Sequence, residues 1–166
     1  GIADGTAQVL RSMEKINYMP VTLGTWGNLS SLLPKMAGEK LSEHLILAAS
    51  TTEDTNAKTK ALGERVRKNF PTLTTFPCSA QAYDSVMLIA AAMKLANSTD
   101  GEKVAAALEN VTGVEGVIKT YNKPFTKTAH EGLSVADFYL ARWKNGAPAR
   151  YEDQYTKALT PADLKK

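Results

Sequence analysis

Five consecutive apolar residues, Leu45-Ile46-Leu47-Ala48-Ala49, constrain this chain more than any other stretch. A strand with one wet face alternates apolar and polar residues, so an unbroken run predicts a strand covered on both faces, as in parallel sheets. Parallel neighbours need crossover helices, and helical periodicity flanks the run on each side. Before it, Val9, Met13 and Ile16 fall at i, i+4 and i+7 over residues 5–17, behind Asp4 as a candidate N-cap. Tyr18 to Leu23 reads as a short strand stopping at Gly24. Leu29, Leu32, Leu33 and Met36 resume helical spacing, with Pro34 marking a kink or an end and Gly38 closing the helix. After the run, Leu62, Val66 and Phe70 repeat every four residues across 54–70, and the lysines and arginines between them form a solvated face.

Pro71 to Pro77 reads as a linker, and residues 79–95 as a helix apolar almost all round, hence mostly buried. Thr99-Asp100-Gly101-Glu102 matches a capping box before a helix carrying Val104, Leu108 and Val111. Gly113 and Gly116 interrupt it. Leu133 to Trp143 predicts a strand, and Lys144-Asn145-Gly146 a hairpin, because Asn-Gly accepts the positive φ angles of two-residue turns. The polar stretch from Pro161 to Lys166 is expected to cover the surface. Helix, strand, helix, strand, helix is the signature of an α/β fold with mostly parallel sheets flanked by helices.

Composition narrows the function classes. The 166 residues are 43% apolar and 22% charged, with 20 Lys and Arg against 17 Asp and Glu, an ordinary globular balance at net charge +3. So mild an imbalance argues against a nucleic-acid partner. The longest apolar run, Val86 to Met93, falls far short of the roughly 18 residues that cross a bilayer. One cysteine, Cys78, permits no internal disulfide, and with two histidines it offers no structural zinc set. No cofactor is implied. The opening Gly-Ile-Ala-Asp carries no targeting signal, so any such peptide was removed or never included. No Gly-x-Ser-x-Gly elbow is present, and the glycines at 24 and 27 do not continue into a phosphate-cradling loop, so an enzyme is not expected.

In α/β sheets ligands settle beyond the carboxyl ends of strands. That rule singles out two loops, residues 1–4 before the first helix and residues 24–28 after the first strand. Each opens a helix N-terminus, where free amides and the helix dipole favour an anion such as a carboxylate.

Several stretches, in register, carry a family resemblance. They are Ala7-Gln8-Val9-Leu10-Arg11, Met19-Pro20, Leu23-Gly24, Lys35-Met36-Ala37-Gly38, Ala80-Gln81-Ala82-Tyr83-Asp84-Ser85-Val86, Ser98 to Val104, Gly113-Val114-Glu115-Gly116, and Phe125 with Ala129-His130. From about residue 1 to 152 the chain resembles the C-terminal half of type I periplasmic solute-binding proteins, specifically the branched-chain amino acid receptors of ABC importers. The resemblance implies a two-lobed, Venus-flytrap protein that closes on a small solute and presents it to an ABC permease, in the periplasm or as a cell-surface lipoprotein. On that plan residues 1–50 belong to the second lobe, 51–132 to the first, and 133–166 form a crossover strand and C-terminal hairpin returning to the second lobe. A complete receptor is roughly twice as long. The chain is therefore expected to pair with the missing N-terminal half or with a second copy of itself.

The resemblance also places the site. The loop after the second-lobe strand carries, in amino-acid-binding members, an acidic residue that pairs with the ligand's ammonium group, and the aligned position holds Trp26. An indole cannot supply that ion pair but can cover an apolar chain or stack on a ring. The expected solute is therefore a small carboxylate, a branched-chain amino acid or an aromatic or branched organic acid, with Trp26 as apolar wall and Thr25 as a hydroxyl donor. Ile2 falls where relatives place an aromatic pocket residue, and Ala3 follows it. The alternatives are that Trp26 packs under its own loop, that Thr25 serves the turn, and that Asp4 merely caps. Tyr83 and His130 read as structural. A ligand-sensing receptor or regulator of the same fold is the alternative to transport.

Overall fold

The computed structural model describes residues 2–154 and 156–158; the stretch from Pro161 to Lys166 lies outside the described residues. In chain order the elements are helix α1 (Ala3–Lys15), strand β1 (Thr22–Thr25), a 3-10 turn (Trp26–Asn28), helices α2 (Leu32–Ala37) and α3 (Glu39–Ser42), and strand β2 (Leu45–Ala49). Helices α4 (Ala57–Asn69), α5 (Phe76–Ala96) and α6 (Gly101–Leu108) follow, with short strands β3 (Val114–Glu115) and β4 (Thr120–Tyr121). A 3-10 turn (Val135–Asp137), strands β5 (Tyr139–Lys144) and β6 (Ala147–Arg150) and a last 3-10 turn (Thr156–Ala158) complete the order.

The apolar run becomes β2, inside a four-stranded sheet of order β1-β2-β5-β6. It pairs parallel with β1, Thr22 opposite Leu45 and Thr25 opposite Ala48, and antiparallel with β5, Ala49 opposite Tyr139. The α/β class holds, but this sheet is mixed rather than mostly parallel. The cause is the point of re-entry: β5 starts beside the last residue of β2, so it must run backwards along it. Asn145 and Gly146, with φ of 51° and 74°, then reverse the chain into β6, as the Asn-Gly signal predicts.

Leu45, Leu47, Ala49, Ala141 and Trp143 share one buried cluster with Ala3, Ala7 and Leu10 of α1 and with Leu33 and Ala37 of α2. On the opposite face Ile46 and Ala48 are half-buried while Val21 and Leu23 are exposed. The two-sided cover predicted for β2 is thus incomplete among the described residues. The long helix α5 departs from expectation in the same sense. Ala80, Asp84, Leu88 and Ala92 are buried at i, i+4, i+8 and i+12, whereas Val86, Ile89 and Met93 on another face are exposed.

Helix starts differ from the sequence reading in three places. No side chain caps α1, which begins at Ala3 and leaves Asp4 in its first turn. Asp100, rather than a Thr99–Glu102 box, caps α6 by accepting the Lys103 N–H at 3.1 Å. Asn56 caps α4 reciprocally with Thr59. Gly38 ends α2 at φ 94°, a conformation that favours glycine. The strand expected from Leu133 begins only at Tyr139, because Ser134 and Asp137 close a 3-10 turn first.

The chain beyond α4 has its own apolar clusters. One joins Leu88, Ala92, Val104, Val111 and Tyr121, and a smaller one joins Phe76, Ala80 and Val117. Asp84 fastens the β3–β4 loop to α5: its carboxylate accepts the Val117 N–H at 2.6 Å, the Ile118 N–H at 3.0 Å and the Tyr121 O–H at 2.9 Å. Burial and donation to Asp84 push the Tyr121 hydroxyl well above its usual range. A Cβ at Gly116 would sit 2.4 Å from the Asp84 carboxyl carbon. Gly116→Ala should therefore strip donors from a buried carboxylate and lower the free energy of unfolding by about 2–3 kcal/mol in a urea titration; a shift within about 0.5 kcal/mol would show the clamp to be slack.

The returning segment is tied by Asp137, whose carboxylate accepts from Lys119 Nζ at 2.6 Å and from the Ser134 N–H and hydroxyl at 2.6 and 3.0 Å. Partial burial by itself raises its pKa, but the Lys119 and Ser134 hydrogen bonds outweigh it and hold the carboxyl below its ordinary 3.8. A carboxyl with a lower pKa in the folded chain adds stability above the unfolded value and loses it as pH falls through the folded one. Asp137→Asn should cost about 1 kcal/mol at pH 7 and converge on the parent as pH falls below the ordinary carboxyl value of 3.8 and the folded carboxylate takes up its proton. Urea midpoints across that range check it, and a gap independent of pH would remove the ion pair from the account.

Candidate functional site

The carboxyl end of β1 is built by a short turn under strong local constraint. Gly24 leaves no room for a side chain: a Cβ there would lie 2.8 Å from Leu47 Cδ2 and 3.1 Å from Asn28 Nδ2. That close approach lets the Trp26–Asn28 turn fold down against α1, β1 and β2. The Leu29 N–H closes it on the Trp26 carbonyl at 2.9 Å. From β5 Trp143, 2% exposed, donates its indole N–H to the Asn28 carbonyl at 2.9 Å. Asn28 is itself buried, and its Oδ1 has no hydrogen-bond partner.

The four sequence-predicted residues take distinct places. Trp26 is half-buried and packs on the same cluster that holds Ala3, so the start of α1 and the end of β1 share one core. A helix feeding a parallel-type strand runs opposite to it, which sets its N-terminus at the strand's carboxyl end. Ala3 is buried within that core, whereas Ile2, 69% exposed, and Thr25 are open to solvent. Exposed Thr25, exposed Ile2 and the half-buried indole of Trp26 thus border the start of α1 and the end of β1. Asp4 and His130 are exposed, and Tyr83 is half-buried on α5.

A cavity of about 460 Å³ lies on the other side of the turn. Leu29, Trp143 and Pro148 wall it from the sheet, Val66 and Phe76 from α4 and α5, and Arg67 stands at its rim in an ion pair with Glu53. None of Ile2, Ala3, Thr25 or Trp26 lines it. The Asn28–Trp143 contact and this cavity escape a sequence reading, since their partners lie 115 residues apart in the chain. Among the described residues no group of three His, Cys, Asp or Glu could hold a metal ion, and no helix is long and apolar enough to cross a membrane.

Comparison with solved structures places this arrangement. Leucine binding protein LivK from Thermotoga maritima superposes with a TM-score of 0.71 at 19% identity, covering 92% of this chain and 42% of that one. The branched-chain amino acid transporter substrate binding protein LivJ from Streptococcus pneumoniae, solved with isoleucine, gives 0.65 at 21%, covering 89% and 41%. A fatty acid ABC transporter substrate-binding protein from Thermomonospora curvata gives 0.67 at 14%, covering 93% and 42%. The chain thus spans less than half the length of each of these structures. None of the curated proteins compared matches it. The periplasmic binding protein family model matches residues 1–148. Sharing the fold of those structures and matched by the family model over most of its length, this chain belongs to the periplasmic binding protein family, a family of solute-binding proteins and not of enzymes.

Proposed function

We propose that this chain is the C-terminal portion of the substrate-binding component of an ABC uptake transporter, of the branched-chain amino acid receptor kind. It binds a small carboxylate solute in the periplasm or at the cell surface and delivers it to a membrane permease. Residues 1–50 contribute to the second lobe, 51–132 to the first, and 133–166 return to the second. The observation that carries the reading is the joint placement of Ala3 and Trp26 in one core, with Ile2 and Thr25 exposed beside them at the sheet's carboxyl end. Helix α1 opens there without a side-chain cap, leaving its positive end available to a carboxylate.

Trp26 supports a solute without an α-ammonium group, such as an aromatic or branched organic acid, because its indole offers an apolar wall and no counter-charge. The fatty acid transporter protein fits that reading: it has this fold, and its solute is a carboxylate with no amino group. Closure follows from population shift: a solute touching both lobes favours the closed arrangement by its difference in affinity for the two states. The edge of β1, unpaired among the described residues, its exposed face, and the exposed Val86, Ile89 and Met93 of α5 suit coverage by the remaining half of such a receptor, or by a second copy.

Titrating tryptophan emission of the full receptor with aryl and branched-chain carboxylates, and with leucine, tests this. Amino-free carboxylates should give a saturable change carried by Trp26, while the buried Trp143 stays silent. Trp26→Phe should weaken binding about tenfold, as expected for a lost aromatic contact. Tight saturable binding of leucine with no effect of Trp26→Phe would overturn the assignment.

A further inference from the structure

Both passages of chain between the sheet and the α5 clusters meet the sheet at the carboxyl end of β2: residues 50–56 leave there, and residues 134–138 return there. Tyr139, opposite Ala49, stands where they meet. Its hydroxyl lies 2.9 Å from Thr52 Oγ1 and 3.0 Å from Thr55 Oγ1, and the Arg150 guanidinium sits 4.8 Å over its ring. The proton order of this cluster can be deduced. Thr52 donates its one hydroxyl proton to Asp54 Oδ1 at 2.5 Å, so toward Tyr139 it accepts and the phenol donates. Thr55 Oγ1 accepts the Thr52 N–H at 2.8 Å, which leaves its own proton facing two acceptors, the Tyr139 oxygen at 3.0 Å and Thr52 Oγ1 at 3.2 Å. Donation runs from Tyr139 to Thr52 to the Asp54 carboxylate, and the Thr55 proton enters that chain at Tyr139 or Thr52, so each bond polarises the next.

We propose that this hydroxyl relay is a clasp between the two crossover segments, with Tyr139 as the positioning residue that fixes the direction in which residues 50–56 leave the sheet. Its consequence for solute capture, a restricted range of angles between the halves, rests on the two-lobe reading proposed above. Other ties join the sheet side to α5 without the relay: the Ser31 N–H donates to the Thr74 carbonyl at 2.8 Å beside a Ser30–Thr75 bridge, and Gln81 Nε2 of α5 donates to Ser50 Oγ at 3.2 Å. Changing a side chain in the relay leaves those ties intact, so the two can be separated.

The relay is tested without any solute. Spin labels at cysteines replacing exposed Lys94 and Lys144, in a Cys78→Ser background, report the distance between the far end of α5 and the β5–β6 hairpin, and hydrogen exchange reports the Thr52 amide. Tyr139→Phe, which removes one oxygen, should broaden the distance distribution and speed exchange at Thr52 about tenfold. Thr55→Val should do the same, and Thr55→Ser, which keeps the hydroxyl, should restore the parent behaviour. A parental distribution and parental exchange in Tyr139→Phe would overturn the clasp, as would Thr55→Ser behaving like Thr55→Val or a fall in melting temperature with neither readout altered. Failure to bind any solute would instead strike the proposed function and leave these readouts standing.

Discussion

Strand β2 is the element on which the other parts of this molecule hang. Its backbone pairs on both sides, with β1 on one and β5 on the other, and Leu45, Leu47 and Ala49 enter the buried cluster. Because its neighbours run in opposite directions, its carboxyl end gathers three things: the last residue of β1, the departing crossover and the first residue of β5. Edge strands can slip or fray, but a strand paired on both edges fixes register for everything bonded to it. The turn bearing Trp26 and the hydroxyl cluster around Tyr139 are both placed by that one alignment.

The second requirement is electrostatic. Asp84 brings a carboxylate into an apolar cluster, which is costly unless its lone pairs are filled. Two amides and a phenol fill them, all from one short stretch, residues 117–121. Gly116 sits against the carboxylate because nothing larger fits, so the loop's sequence and the helix's buried acid imply each other. Asn28 Oδ1, by contrast, is buried with no partner. An orphaned acceptor beside the strand-end turn is uncommon in a settled core, and it is the kind of local inconsistency expected near a binding surface.

Much of this was legible in the residues. Short-range signals transferred best: the apolar run gave β2, Asn145-Gly146 gave the hairpin, and Gly38 gave a helix end, since each depends only on local backbone preference. Element boundaries were less legible, because alternative caps compete within a few positions, as Asp100 did with Thr99, and because a polar stretch hides where a helix starts, as at Asn56. Strand direction was not legible at all. The sense of β5 depends on where a chain more than eighty residues further on re-enters the sheet, and no local pattern records that. The expected burial of α5 failed for a related reason: hydrophobicity says that a face wants cover, not that cover lies within the same 166 residues. At the site, a topological rule singled out the loops 1–4 and 24–28 and the family resemblance singled out Trp26, Thr25, Ile2 and Ala3 within them, whereas the Trp143–Asn28 bond needed coordinates.

The two free edges of the sheet differ in a way that bears on how the molecule can associate. In a two-residue hairpin the residues flanking the turn exchange hydrogen bonds, so in the next pair, Trp143 opposite Pro148, the backbone groups point outward. On β6 the outward donor is therefore a proline nitrogen, which has no hydrogen to give, and Arg150 adds a charge two residues on. β1 contains no proline over Thr22–Thr25, and the alternate amides that do not pair with β2 remain competent donors. Among the described residues an added strand therefore meets an unbroken set of outward donors along β1 and an interrupted one along β6, so lateral growth of this sheet is biased to the β1 side.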